Sequence, residues 1–157
     1  MNMGDSMKII NLKHNKNYLR EYIELCSKEW GTTCDEIQFK IKVDKRLEEI
    51  LSAKSNKLIS ALGLIDKNCL IGFISLLRTD GNERIDLTPW YGTMYVKEEF
   101  RNNGYSKILN DAILEEAKRL GYNKVYLKTT LINYYEKFDA KYLEKLNHEE
   151  NLYYIEL

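Results

Sequence analysis

The sequence predicts a mixed α/β fold: one largely antiparallel mixed sheet with helices on both faces. Three observations carry that expectation. Residues 57–65, 68–78 and 90–96 are strand-length and rich in Leu, Ile and aromatic side chains, and they follow one another along the chain, so they should pair antiparallel. Amphipathic helical patterns lie before and after this block. The later helix joins the strand at 90–96 to a strand at 124–128, a crossover that should make those two strands parallel and right-handed. The 157 residues read as one domain, 1–157, without internal repeat, low-complexity tract or linker.

In chain order, residues 8–12 (KIINL) form a short strand. A helix over 15–30 follows. Its Leu19, Ile23, Cys26 and Trp30 fall four, three and four apart on one stripe, and Gly31 ends it. Thr33 is expected to cap the next helix, with Glu36 completing a capping box. That helix runs to about Ala53, with an apolar face of Ile37, Ile41, Leu47, Ile50 and Leu51, and a polar turn follows over 52–56. The strands at 57–65 and 68–78 are joined by Asp66-Lys67-Asn68 and are apolar enough to be buried on both faces. Residues 79–88 (TDGNERIDLT) are a polar loop before Pro89.

The long helix over 105–120 carries Ile108, Leu109, Ala112, Ile113, Ala117 and Leu120 at helical spacing. Its charged face includes a Glu115–Arg119 pair at i,i+4, and Gly121 closes it. A strand at 124–128, a short helix at 131–138 and two final strands at 141–146 and 152–157 complete the pattern.

Composition removes several function classes. The chain is 44% hydrophobic and 31% charged, enough for a real core. Its 24 basic and 24 acidic residues balance, unlike the basic footprint of a nucleic-acid binder. The longest apolar runs, such as Cys69 to Ile74, are too short to cross a bilayer. The opening MNMGDSMKII lacks the apolar core of a signal peptide. Cys26, Cys34 and Cys69 are odd in number and have no metal-ligand spacing, so the expectation is reduced thiols, a cytoplasmic protein and no metal. His14 and His148 fit surface polar roles.

The most informative stretch runs from residue 87 to residue 120. A strand meets the turn Arg101-Asn102-Asn103-Gly104-Tyr105-Ser106, and a helix begins directly behind it. Such a helix presents free N–H groups and the positive end of its dipole, a seat for a phosphate-bearing ligand. Gly104 permits positive φ or a close backbone approach. Arg101 adds a permanent cation.

The stretch PWYGTMYVKEEFRNNGYSKILNDAILEEAKRLGYNKVYLKT, with NYYEKF beyond it, resembles the GNAT superfamily of N-acetyltransferases. The Q/R-x-x-G-x-G/A acyl-coenzyme A motif of that superfamily matches Arg101 to Tyr105 and departs at Ser106. A second departure is Asp139-Ala140, where the family usually has Gly-Phe. The resemblance implies a V-shaped splay between the fourth and fifth strands, at a bulge. It implies acetyl-CoA as cosubstrate, held by Arg101, Asn102, Asn103, Gly104, Tyr105, Ser106 and Lys107 around the pyrophosphate. The backbone of Met94, Tyr95 and Val96 would hold the coenzyme arm, and Asn133 would contact it.

Tyr135 matches the tyrosine near the sulfur that donates a proton to the leaving thiolate, with Tyr134 as the neighbour one register away. The amine's base stays open between Glu83, Asp86 and water. Trp30, Trp90 and Tyr91 could line the acceptor pocket or belong to the core. The implied activity is acetyl transfer to a small-molecule or peptide amine by direct attack in a ternary complex. The alternative is a non-catalytic acyl-CoA-binding module. No nucleic-acid or membrane partner is implied, and a homodimer is a common assembly of the scaffold.

Overall fold

The computed structural model describes residues 6–52 and 57–157. Seven strands form one sheet in the order β1-β2-β3-β4-β5-β7-β6. They are β1 (Met7–Asn11), β2 (Leu58–Asp66), β3 (Cys69–Leu77), β4 (Trp90–Val96), β5 (Lys124–Thr129), β6 (Lys141–Lys145) and β7 (Asn151–Glu156). Every neighbouring pair is antiparallel except β4 and β5, which are parallel, as the crossover requires. The helices are α1 (Lys16–Trp30), α2 (Glu36–Leu51) and α3 (Tyr105–Arg119).

The core has two layers, one on each face of the sheet. On one face Leu19, Tyr22 and Ile23 of α1 and Val43, Leu47 and Ile50 of α2 pack on Phe73 and Trp90. On the other, Leu109, Ile113 and Ala117 of α3 pack on Ile71, Tyr91 and Val125. β2 and β3 are buried along most of their length, as strands covered on both faces should be. Fully burying one such Leu or Ile contributes about 1.5–3 kcal/mol before the entropy of ordering it is counted.

Four expectations change. Asp35, not Thr33, caps α2: its Oδ1 accepts from Gln38 N at 2.8 Å, and no capping box forms. The buried face of α2 is Val43-Leu47-Ile50, at steps of four and three. Ile37 and Ile41 fall on a different side of the helix and stand 75% and 62% exposed. Arg119 pairs with Glu116 rather than Glu115, through bonds of 2.8 and 2.9 Å. The short helix expected over 131–138 shrinks to one 3-10 turn, Tyr135–Phe138.

That turn closes on Asp139 at φ 65°, the left-handed slot where the family's glycine would sit, and a residue that tolerates it. Ala140 behind it is buried. The helix end expected near Ala53 and residues 53–56 of the polar turn lie outside the described residues. Among the described residues no helix is long and apolar enough to cross a membrane.

Candidate active site

β4 is where the sheet opens. Its first residue pairs with β5, Trp90 opposite Tyr126, and Tyr126 N donates to Pro89 O at 2.9 Å. No later residue of β4 pairs with β5, so the two strands diverge from there.

A bulge bends β4 at the same place. Between the pairs Ser75–Gly92 and Phe73–Tyr95, β3 advances two residues and β4 three. Thr93 absorbs the extra residue at φ 49°, an uncommon conformation for a β-branched side chain. Its Oγ1 donates to Ser75 Oγ, and Ser75 Oγ lies 2.6 Å from the Tyr22 hydroxyl of α1. Burial, with the nearby Cys26 thiol, holds the Tyr22 hydroxyl firmly protonated, while Cys26 is itself pushed up to about 12 by burial. A chain of neutral hydroxyls thus ties the bulge to α1. All three cysteines are free and half-buried.

Beyond the bulge, Tyr95 stacks on Phe73 with ring centroids 5.4 Å apart and meets the edge of Trp30 at 6.3 Å. The chain then turns through Arg101 to Gly104 into α3. Gly104 is the residue before the helix and has φ 77° and ψ 11°, so glycine is needed here for its left-handed geometry. The first-turn N–H groups of α3 open on a cavity of about 550 Å3 lined by Met94, Tyr95, Val96, Arg101, Gly104 and Ser106, among others.

Arg101 does not hang free at the turn. Its Nε donates to Val96 O at 2.8 Å and its guanidinium lies 5.5 Å from the Tyr95 ring centre. Asn102 lines the cavity at φ 65°, and Tyr105 lines it too. Three expected coenzyme residues do not. The Asn103 amide donates to Phe100 O and Arg101 O, so it braces the turn. Lys107 pairs with Asp111 at 2.7 Å on the exposed face of α3. Asn133 is exposed in a left-handed turn. Phe100, Tyr134, Lys137, Glu29 and Trp30 complete the lining instead.

A second cavity of about 430 Å3 shares Trp30 and Met94 with the first and lies on the β5 side of the splay. Tyr135 borders this one, and Tyr134 the first. The two rings meet edge to face at 4.9 Å, so the pair stands at the junction. Burial, with Tyr134 close by, pushes the Tyr135 hydroxyl up to about 12, which keeps it a proton donor.

Tyr91 also borders the second cavity. It is 2% exposed, and its hydroxyl is buried with no hydrogen-bond partner among the described residues. Trp90 belongs to the core instead: it is fully buried and its indole N–H donates to Leu87 O at 2.8 Å.

Neither Glu83 nor Asp86 lines either of these two cavities. Asp86 is exposed and accepts from Nε and Nη2 of Arg84, at 3.0 and 2.9 Å, which keeps its carboxyl below the usual range. Glu83 accepts from Asn147 at 3.0 Å. The carboxylates that do line the second cavity are Asp80 and Glu150, with Lys128 between them. Lys128 Nζ lies 4.0 Å from Asp80 Oδ1 and 3.8 Å from Glu150 Oε1. In the sequence Asp80 is one more residue of the polar loop over 79–88. No local signal marks it, because Lys128 on β5 and Glu150 in the turn before β7 are distant in sequence. Among the described residues no cluster of His, Cys, Asp and Glu could hold a metal ion.

A mixed sheet that splays at a bulged fourth strand, with a glycine-led helix behind it, defines the acetyltransferase class of fold. The profile of the Acetyltransferase (GNAT) family matches residues 17–140, and the chain belongs to that family. No curated protein matches it by sequence. Solved structures share its fold. PaiA N-acetyltransferase from Thermoplasma acidophilum, in complex with coenzyme A, is 20% identical with a TM-score of 0.64, over 97% of this chain and 99% of that one. YncA from Salmonella typhimurium, a putative acetyltransferase with its cofactor acetyl-CoA, is 15% identical with a TM-score of 0.66, over 98% and 94%. N-acetyltransferase PseH from Campylobacter jejuni, in complex with acetyl coenzyme A, is 14% identical with a TM-score of 0.65, over 96% and 98%.

Proposed function

We propose that the protein is an acetyl-CoA-dependent N-acetyltransferase that moves an acetyl group to a small-molecule or peptide amine by direct attack in a ternary complex. The observation that carries this reading is the left-handed Gly104 at the head of α3, which turns the helix's free N–H groups onto the cavity beside the splayed end of β4. The residues present fit a phosphate-bearing thioester. Backbone N–H groups suit the pyrophosphate, Ser106 is small enough to leave them accessible, and the unpaired edge of β4 suits an amide-bearing arm. The GNAT-fold structures carrying coenzyme A or acetyl-CoA support the same assignment.

Acetyl-CoA supplies an activated acetyl group; the protein supplies position and protons. Met94, Tyr95 and Val96 orient the arm through their backbone. An N–H of this segment polarises the thioester carbonyl as negative charge develops on its oxygen. Tyr135 gives a proton or hydrogen bond to the departing sulfur, worth about ten- to a hundredfold because a thiolate already leaves readily. No cysteine borders either cavity, which leaves a covalent cysteine route without support.

The test is thiol release from acetyl-CoA with a panel of primary amines. Release that depends on both substrates supports the reading. Tight acetyl-CoA binding without release for any amine contradicts it and leaves a binding module.

A further inference from the structure

The second cavity contains a charge arrangement that the acetyl-transfer reading does not use. Asp80 comes from the loop between β3 and β4, Lys128 from β5, and Glu150 from the turn before β7. The three leave the cavity with a net charge of about −1 at neutral pH. The two oxygens of Asp80 have different surroundings. Oδ1 faces Lys128 at 4.0 Å. Oδ2 lies over Gly92, where an added Cβ would stand 3.3 Å from it. Gly92 sits beside the bulge, so Oδ2 reaches the strand where the splay begins. Independently, Tyr91 borders this cavity, and its buried hydroxyl lacks a partner among the described residues.

We propose that Asp80 Oδ2 binds the ammonium of the acceptor and takes its proton, and that the net negative cavity selects alkylamines over α-amino acids; this rests on the acetyltransferase reading. The step balances. The ammonium gives one proton to the Asp80 carboxylate. The freed lone pair forms the C–N bond as the C–S bond breaks. The thiolate leaves with a proton supplied through Tyr135. Asp80 and the new amide nitrogen return their protons to solvent and to Tyr135, for a net release of one proton per amide formed.

Burial raises the Asp80 carboxyl, with Glu150 and Glu83 adding to the rise, while Lys128 and Lys57 oppose it. Tyr91 and Tyr135 on the neighbouring walls are neutral. Asp80 is therefore a better proton acceptor than an exposed aspartate. An α-amino acid would bring its carboxylate against Asp80, and like-charge contact at a partly buried site costs about tenfold or more in affinity.

The experiment measures kcat/KM for n-butylamine, 1,4-diaminobutane and L-alanine across pH, in the wild type, Asp80→Asn and Lys128→Met, with acetyl-CoA affinity by calorimetry. The expected result is about a hundredfold loss in Asp80→Asn at pH 7, with acetyl-CoA affinity kept and activity recovering toward pH 10 as the free amine forms in solution. Lys128→Met is expected to move the acidic limb to higher pH, because removing that cation lets the Asp80 carboxyl rise further. It carries the test by itself if Asp80→Asn does not fold. Both alkylamines should exceed L-alanine by about tenfold.

An active wild type whose rate and pH profile survive both substitutions overturns the Asp80 assignment alone. L-alanine preferred over both alkylamines overturns the charge selection. A wild type that binds acetyl-CoA and releases no thiol with any amine overturns the acetyltransferase reading and this assignment together.

Discussion

The two cavities that meet at Trp30 and Met94 are built differently. The one behind β4 takes most of its lining from one continuous stretch, residues 94–106, and its polar character comes largely from backbone geometry: a bulge, a left-handed glycine and a helix start. The one toward β5 takes its polar side chains from residues 80, 91, 93, 128, 135 and 150, which are scattered along the chain and meet only through the sheet. A backbone-built site tolerates changes of side chain, such as Ser106 in the motif. A side-chain-built site changes its ligand with each substitution. One scaffold can therefore keep a cosubstrate while acceptors vary.

The sharpest way to break the contrast is at Gly104. Gly104→Glu places a Cβ in the left-handed region and a carboxylate at the helix start, where like charge meets pyrophosphate. Loss of a charge-assisted hydrogen bond and the added repulsion should weaken acetyl-CoA binding on the order of a hundredfold by calorimetry. An affinity within a few-fold of wild type would show that the helix start does not hold the coenzyme.

Tyr135→Phe comes next. It should lower kcat by about ten- to a hundredfold with acetyl-CoA affinity unchanged. With its hydroxyl pushed up to about 12, Tyr135 stays protonated through pH 10, so loss of its proton gives kcat no alkaline limb below that pH. An alkaline limb below pH 10 that disappears in Tyr135→Phe would contradict the donor environment described above.

The smallest effect sharpens the comparison rather than breaking it. Tyr22→Phe removes the α1 end of the hydroxyl chain that reaches Thr93 through Ser75. The loss of a buried hydrogen bond should cost about 1–2 kcal/mol in urea unfolding. A variant as stable as wild type would mean that the bulge holds without α1.

What could be read from the sequence follows the same division. The turn at Arg101 to Ser106 and the crossover around it are local, and periodicity with glycine placement reveals local structure. The buried face of α2 is not legible locally because α2 has more apolar residues than one face can bury. Only the tertiary partner decides that Val43 faces inward and Ile41 outward. Asn103 and Lys107 follow the motif in sequence, yet one braces the turn and the other pairs along the helix. Asp80 carries no local mark at all. Its standing comes from Gly92 below it and Lys128 beside it, two positions fixed by strand register.

The most direct test of the central claim is backbone-amide NMR during titration with acetyl-CoA. The account predicts the largest shifts at Gly104, Tyr105 and Ser106 and along Met94 to Val96, with smaller ones at Asp80 and Glu150. Shifts concentrated away from the β4–α3 junction, or none at saturating acetyl-CoA, would contradict it.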